Sequence, residues 1–199
     1  PAVNCLNALR RSADRLSSCV NLECLLEKAV DCLEKEFGFN HLMLLMHDEA
    51  RGCLFTLASR GYAQSGIGSE IAVGSGLIGI CARERSPIRI GFMTSEYAYG
   101  RAVRDGLAAD GQLNGLETAI SLPGLPNAAS QMAIPIVVGD RLLGVIYVES
   151  LTDLHFGYDE EDELVVFAAQ LGLAERGAIA PGFHADLVLF DPARIADRS

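Results

Sequence analysis

Four side chains in one short stretch could recognise a ligand: Tyr97, Tyr99, Arg101 and Arg104 lie within eight residues. Tyrosine rings stack on planar groups, and guanidinium groups hold carboxylates or phosphates through paired hydrogen bonds. The surrounding stretch 92–127 contains seven glycines and prolines and no regular hydrophobic period, which is typical of a binding loop or a lid. We therefore expect these four residues to bind a planar or anionic ligand. The alternative is that these four side chains lie on an ordinary surface loop and bind no ligand.

Cysteine and histidine spacing does not indicate a metal site. No two cysteines have C-x-x-C spacing, and the histidines form neither an H-x-H nor an H-x-x-x-H pair. The cysteines are Cys5, Cys19, Cys24, Cys32, Cys53 and Cys81, and the histidines are His41, His47, His155 and His184. We expect reduced, buried thiols and no bound metal, and the sequence identifies no cofactor.

A glycine pair at Gly74-Ser75-Gly76 could be taken for a phosphate-binding loop. It has neither the G-x-G-x-x-G spacing of a dinucleotide site nor the Lys-Ser/Thr of a P-loop. A tight turn between a strand and a helix is the better interpretation.

Composition excludes two classes of partner. The 199 residues carry a net charge of −10, with only two lysines, Lys28 and Lys35. An acidic chain lacks the basic surface that binds nucleic acid or anionic membranes. No apolar run reaches the ~18 residues of a membrane span, so we expect a soluble cytoplasmic protein with neither partner.

The first twenty residues predict a helix that could form a dimer seam. Leu6, Leu9, Ala13, Leu16 and Val20 are spaced three and four apart, as in a coiled coil. Packing of this helix on its own domain is the alternative. Asn21 is a good N-cap for a second helix, which Gly38 should end.

Paired strands dominate the middle of the chain. Residues 41–61 predict a β-hairpin. Residues 69–91 predict a strand, a short helix and a strand, and residues 130–150 predict a hairpin that turns at Gly139-Asp140. An acidic first turn at residues 159–163 begins a closing helix. Hairpins indicate an antiparallel sheet, and this order of elements predicts an α+β domain with about six strands flanked by helices.

The motifs GSGLIGICARERSPIRI and SQMAIPIVVGDRLLGVIYVES, with the closing helix after Phe156, resemble the GAF domain over about residues 12–176. The resemblance implies a sensor domain, residues 21–176, that holds a small molecule between the lid and the sheet and dimerises through its terminal helices. Three apolar strand residues, Met43, Phe55 and Met132, therefore join the candidate ligand contacts. A non-catalytic sensor that acts as a homodimer is the leading interpretation.

Within that family, two more specific activities fit less well. The cyclic-nucleotide signature has Asn-Lys after the last strand, where this chain has Glu149-Ser150, although Phe156 matches its later half. A cyclic nucleotide stays an alternative ligand. Free methionine sulfoxide reductases have a cysteine where this chain has Ile78, and no cysteine follows Cys81. Sulfoxide reduction, and bilin attachment through a lid cysteine, are therefore disfavoured, and a structural dimerisation module with an empty pocket is a further alternative.

The last segment, APGFHADLVLFDPARIADRS, resembles the end segment of amidohydrolases of the D-aminoacylase type. The chain has neither the length nor the metal ligands of their catalytic barrel, so the resemblance implies no hydrolase activity. Within the tail, residues 177–199, we expect one short apolar strand from Ala185 to Phe190. Such a strand must pair with the sheet edge or with another copy, or the tail is a remnant of a fusion.

Overall fold

The structure, a computed structural model, describes residues 2–92 and 122–174. It contains one six-stranded antiparallel sheet with helices on both faces. In chain order the elements are α1 (Ala2–Ser17), α2 (Leu22–Lys35), β1 (His41–Asp48), β2 (Cys53–Arg60), β3 (Glu70–Ala72), α3 (Gly76–Glu84), β4 (Ile88–Ile90), β5 (Ser130–Val138), β6 (Arg141–Ser150) and α4 (Tyr158–Ala174). The predicted α+β class with six strands is confirmed.

Local signals in the sequence place the element boundaries. The side chain of Asn21 accepts a hydrogen bond of 2.8 Å from the backbone N–H of Cys24, which satisfies one free donor at the start of α2. Gly38 lies beyond the end of α2 with φ of +79°, a conformation that glycine adopts without strain. Gly139 also has a positive φ, and it turns β5 into β6.

The sheet has the strand order β3-β2-β1-β6-β5-β4, so sequentially distant β1 and β6 pair at its centre. Its two faces have separate cores. Leu42, Leu44 and Ile146 pack under α1, α2 and α4, and we call this side the helical face. Met43, Leu45 and Tyr147 pack under α3, and we call this side the α3 face.

Helix α1 packs on its own domain, against α2 and α4. Leu9 and Leu16, two residues of the predicted seam, belong to the core of the helical face. Burial of a leucine side chain stabilises a fold by roughly 1.5–3 kcal/mol. Leu6 and Val20 are both 69% exposed. The heptad-like spacing thus reflects contacts within the domain at its middle positions, and a dimer seam stays a prediction.

Of the predicted lid, residues 92–127, the segment 93–121 lies outside the described residues, and so does the whole predicted tail, residues 177–199. In the part of the chain that the structure describes, no helix has both the length and the apolar character needed to span a bilayer.

Candidate functional site

One carboxylate is buried inside the domain. Glu149 is 3% exposed, and it is the only charged side chain that is buried among residues 5–92 and 122–172. Its Oε1 accepts hydrogen bonds from Gln131 Nε2 at 2.8 Å and from Tyr147 Oη at 2.9 Å. Its Oε2 accepts the backbone N–H of Leu125 at 2.9 Å. Burying a carboxylate is costly unless hydrogen bonds compensate it, and these contacts contribute to that compensation.

Alternation along β6 brings this group to the α3 face. Val145 and Tyr147 belong to the core of that face, and Glu149 follows at the same period of two. The hairpin register sets Gln131 opposite Glu149 and Ala133 opposite Tyr147. The turn at Gly139 and the register shift between Ile136 and Val137 together fix which β5 side chain meets the carboxylate.

Aromatic and apolar groups surround this end of the α3 face. His41 pairs with Glu149 across β1 and β6, and its ring lies edge-on to that of Tyr62, with centroids 6.0 Å apart. Met43 pairs with Tyr147 and is fully buried. A Cβ added at Gly66 would lie 3.6 Å from Met43 Sδ and 2.3 Å from Pro123 Cδ. Strand β1, the loop after β2 and the chain at Pro123 therefore meet around Met43.

The chain leaves and re-enters the described region beside this cluster. Ile90, the last residue of β4, pairs with Gln131, which pairs with Glu149. After the segment 93–121 the chain returns at Leu122, and Leu125 bonds to Glu149. Both ends of that segment are therefore anchored at the same end of the α3 face.

The three strand residues predicted to contact the ligand, Met43, Phe55 and Met132, do not all lie on the same face of the sheet. Met43 lies on the α3 face, whereas Met132 is fully buried in the core of the helical face. Phe55 follows Leu54, a residue of the α3 face, so alternation directs it to the helical face. One site cannot include both Met43 and Met132. Tyr97, Tyr99, Arg101 and Arg104 lie outside the described residues.

The glycine pair before α3 forms a turn. Gly74 and Gly76 have φ of +90° and +60°. Gly74 N–H bonds to Gly79 O, and Ser75 N–H bonds to Ala72 O. Because these two donors are used within the turn, they are not directed at a phosphate.

Helix α3 contributes a cysteine, Cys81, to the core of the same α3 face. Cys81 is fully buried, and burial raises its pKa to about 12. A thiol with that pKa is protonated at neutral pH and is a poor nucleophile. The described residues contain no group of three or more potential metal ligands.

Sequence reasoning missed Gln131 and Tyr147, and it considered Glu149 only as a departure from a signature. The available signal was the strand GVIYVES, in which Val145, Tyr147 and Glu149 share one face. A carboxylate in the inward register of an otherwise apolar strand indicates a buried charge.

Comparison with known proteins gives a family match. A model of the GAF domain matches residues 21–175. The GAF domain of a phosphoenolpyruvate-protein phosphotransferase from Coxiella burnetii is 24% identical, with a TM-score of 0.68 over 87% of this chain and 94% of that one. The corresponding domain from Acinetobacter is 20% identical, with a TM-score of 0.65 over 85% and 90%.

A catalytic protein has a similar fold. The free methionine-R-sulfoxide reductase from Neisseria meningitidis is 16% identical, with a TM-score of 0.61 over 84% of this chain and 85% of that one. A different, short match is to N-acyl-D-aspartate deacylase from Alcaligenes xylosoxydans xylosoxydans, 67% identical over 30 residues. That match covers 15% of this chain and spans 6% of the deacylase.

Proposed function

We propose, from the premise that the chain belongs to the GAF domain family, that it is a non-catalytic sensor domain. Its small-molecule ligand binds at the end of the α3 face where Gln131, Tyr147 and Glu149 meet. The observation that carries this proposal is the buried, hydrogen-bonded carboxylate of Glu149 between the two ends of the segment 93–121. A polar group held in an apolar surrounding is typical of a ligand site, where a few fixed hydrogen-bonding groups give specificity.

The chemistry of this end supports binding over catalysis. Sulfoxide reduction by thiols requires an accessible thiolate. Cys81, the thiol on α3, is fully buried with a pKa of about 12, and residues 82–199 contain no cysteine. Reduction of methionine sulfoxide, the activity named for the Neisseria neighbour, is the alternative function.

The packing of the terminal helices supports the proposal that they transmit the signal. Helices α1 and α4 contact each other, and α4 also packs on β5, the strand that carries Gln131. Ligand binding at Gln131 can therefore bias the packing of α4 and α1. We place the protein in the cytoplasm as a homodimer, with Tyr97, Tyr99, Arg101 and Arg104 as further ligand contacts and a cyclic nucleotide as one candidate ligand.

The tail has a separate origin in this proposal. The short match to the deacylase supports descent of residues 177–199 from the end segment of such an enzyme. The match spans only 6% of the deacylase, so we assign no hydrolase activity to the tail.

A ligand panel tests the sensor function. We expect thermal-shift measurements with nucleotides, amino acids and aromatic acids to identify a compound that raises the Tm of the wild type, as binding to the native state must. Glu149→Gln should abolish that shift. Glu27→Gln, at an exposed position on α2, is the matched control and should keep it.

Two results would count against the proposal. One is turnover of methionine sulfoxide with a thiol reductant, which would make the protein an enzyme. The other is an equal ligand-induced shift in Glu149→Gln and wild type, which would place the ligand elsewhere.

A further inference from the structure

An apolar groove lies at the end of the sheet opposite the proposed ligand site, and residues of both sheet faces line it. It is a groove of about 370 Å³ between the first turns of α2 and the last turn of α4, over the ends of β1, β5 and β6. The lining residues are Leu22, Leu25, Leu26, Leu44, Leu45, Met46, His47, Leu57, Ile136, Arg141, Leu142, Leu143 and Leu171. We refer to it as the α2/α4 groove.

The groove is apolar and only partly closed. Leu22, Leu26 and Ile136 are each half-buried. A bulge in β2 adds a further side chain, because Leu44 pairs with Ala58 and Leu45 with Thr56, which leaves Leu57 as an extra residue. Leu57 is among the residues that line the groove. A cleft of this kind, lined mainly by leucines, fits apolar side chains.

We propose that residues 185–190 of the same chain dock in the α2/α4 groove. In an extended segment, alternate side chains point to opposite sides. Ala185, Leu187 and Leu189 would form one uniformly apolar side, whereas the other side begins with Asp186. The apolar side enters the groove, and the backbone stays at its open mouth, where water satisfies its hydrogen-bonding groups.

The path of the chain supports this occupant. Leu171 lines the groove, and α4 ends three residues later at Ala174. Residues 175–184 are ten residues, which can span up to ~33 Å when extended. The described part of α4 therefore ends beside the groove, and ten residues give ample reach to it. Tethering through a short linker gives an effective concentration on the order of millimolar, so weak apolar contacts suffice for docking.

The size of the groove fits the two leucines. A cavity of about 150 Å³ accepts a benzene molecule, and the groove measures about 370 Å³. Two leucine side chains spaced two residues apart, ~7 Å along an extended chain, can therefore enter together.

Tryptophan fluorescence tests the docking cleanly, because the chain contains no tryptophan. We expect Leu189→Trp in the full chain to emit at a shorter wavelength than Phe190→Trp, its neighbour on the opposite side. Acrylamide should quench Leu189→Trp severalfold less than Phe190→Trp. Equal emission and equal quenching of the two would overturn the proposal.

A groove variant identifies the docking surface. Leu22→Glu puts a carboxylate into the groove in the first turn of α2, where the helix dipole favours an acid. In the Leu189→Trp background it should shift the emission to longer wavelength. Leu6→Glu, at an exposed position on α1, should not. An unchanged emission in Leu22→Glu, or a blue shift that disappears on dilution and so reports the tail of another copy, would contradict docking within the chain.

Discussion

The guanidinium carbon of Arg89 lies 4.2 Å from the centre of the Tyr158 ring, and this contact joins edge strand β4 to the first residue of α4. The same guanidinium lies 3.4 Å from Glu161 Oε2 and donates a hydrogen bond of 3.3 Å to Phe156 O. Leu154 N–H bonds to Gly91 O at 2.6 Å close by. Strand β4, which leads toward the segment 93–121, is thus fastened to the start of α4.

Loss of the Arg89 contacts should loosen α4 locally. We expect Arg89→Met to lower the free energy of unfolding by about 1–2 kcal/mol, since it removes a cation–π contact and a partly buried ion pair. Hydrogen exchange at residues 158–164 should accelerate more than in the rest of the helix. Arg83→Met, which breaks the exposed pair with Glu84, should change stability by less than ~0.5 kcal/mol. Equal losses of stability in the two variants would show that the Arg89 contacts do not fasten β4 to α4.

Replacing the buried carboxylate should destabilise the fold in a graded way. Glu149→Leu leaves Tyr147 Oη and Gln131 Nε2 without this acceptor, so we expect a loss of about 2–4 kcal/mol. Glu149→Gln keeps one acceptor oxygen, so its free energy of unfolding should fall by less. Urea unfolding of both variants measures the difference. A Glu149→Leu variant as stable as Glu149→Gln would mean that these hydrogen bonds contribute little.

Substitutions at Gly66 and Pro123 should have non-additive effects on stability, because the two residues pack closely. An added Cβ would lie 2.3 Å from Pro123 Cδ, so Gly66→Ala should cost about 1–3 kcal/mol through overpacking. Pro123→Ala removes the ring atoms involved and should recover much of that loss in the double variant. A double-mutant cycle by thermal unfolding gives the interaction energy. Additive losses would show that the two sites do not touch.

Much of the fold could be predicted from local signals. Asn21 begins α2 as a helix cap, and the Gly139-Asp140 turn joins two apolar runs as a hairpin. These signals depend on a few neighbouring residues, so they can be recognised directly in the sequence. The α+β arrangement follows once the hairpins are assigned.

Which residues meet at the candidate site could not be predicted from the sequence, because it depends on contacts between distant parts of the chain. Strands β5 and β6 have buried residues on both sides, so alternation shows which residues of one strand share a side but not which face of the sheet that side belongs to. Met132 and Met43 look alike in the sequence, yet they lie on opposite faces of the sheet. Burial of Glu149 also requires Leu125, which reaches it from a separate part of the chain.

Alkaline pH should weaken the fold through Cys81. Burial raises the pKa of its thiol from 9.0 to about 12, so the native state holds this proton more tightly than the unfolded chain. The resulting stabilisation is fully present below pH 9 and is lost as pH rises toward 12. Between pH 8 and pH 10.5 we expect the wild type to lose about 2 kcal/mol more than Cys81→Ala, because one pKa unit is worth about 1.4 kcal/mol. Urea unfolding in the presence of a reductant measures both proteins, and parallel pH profiles would show that Cys81 ionises as easily in the native state as in the unfolded chain.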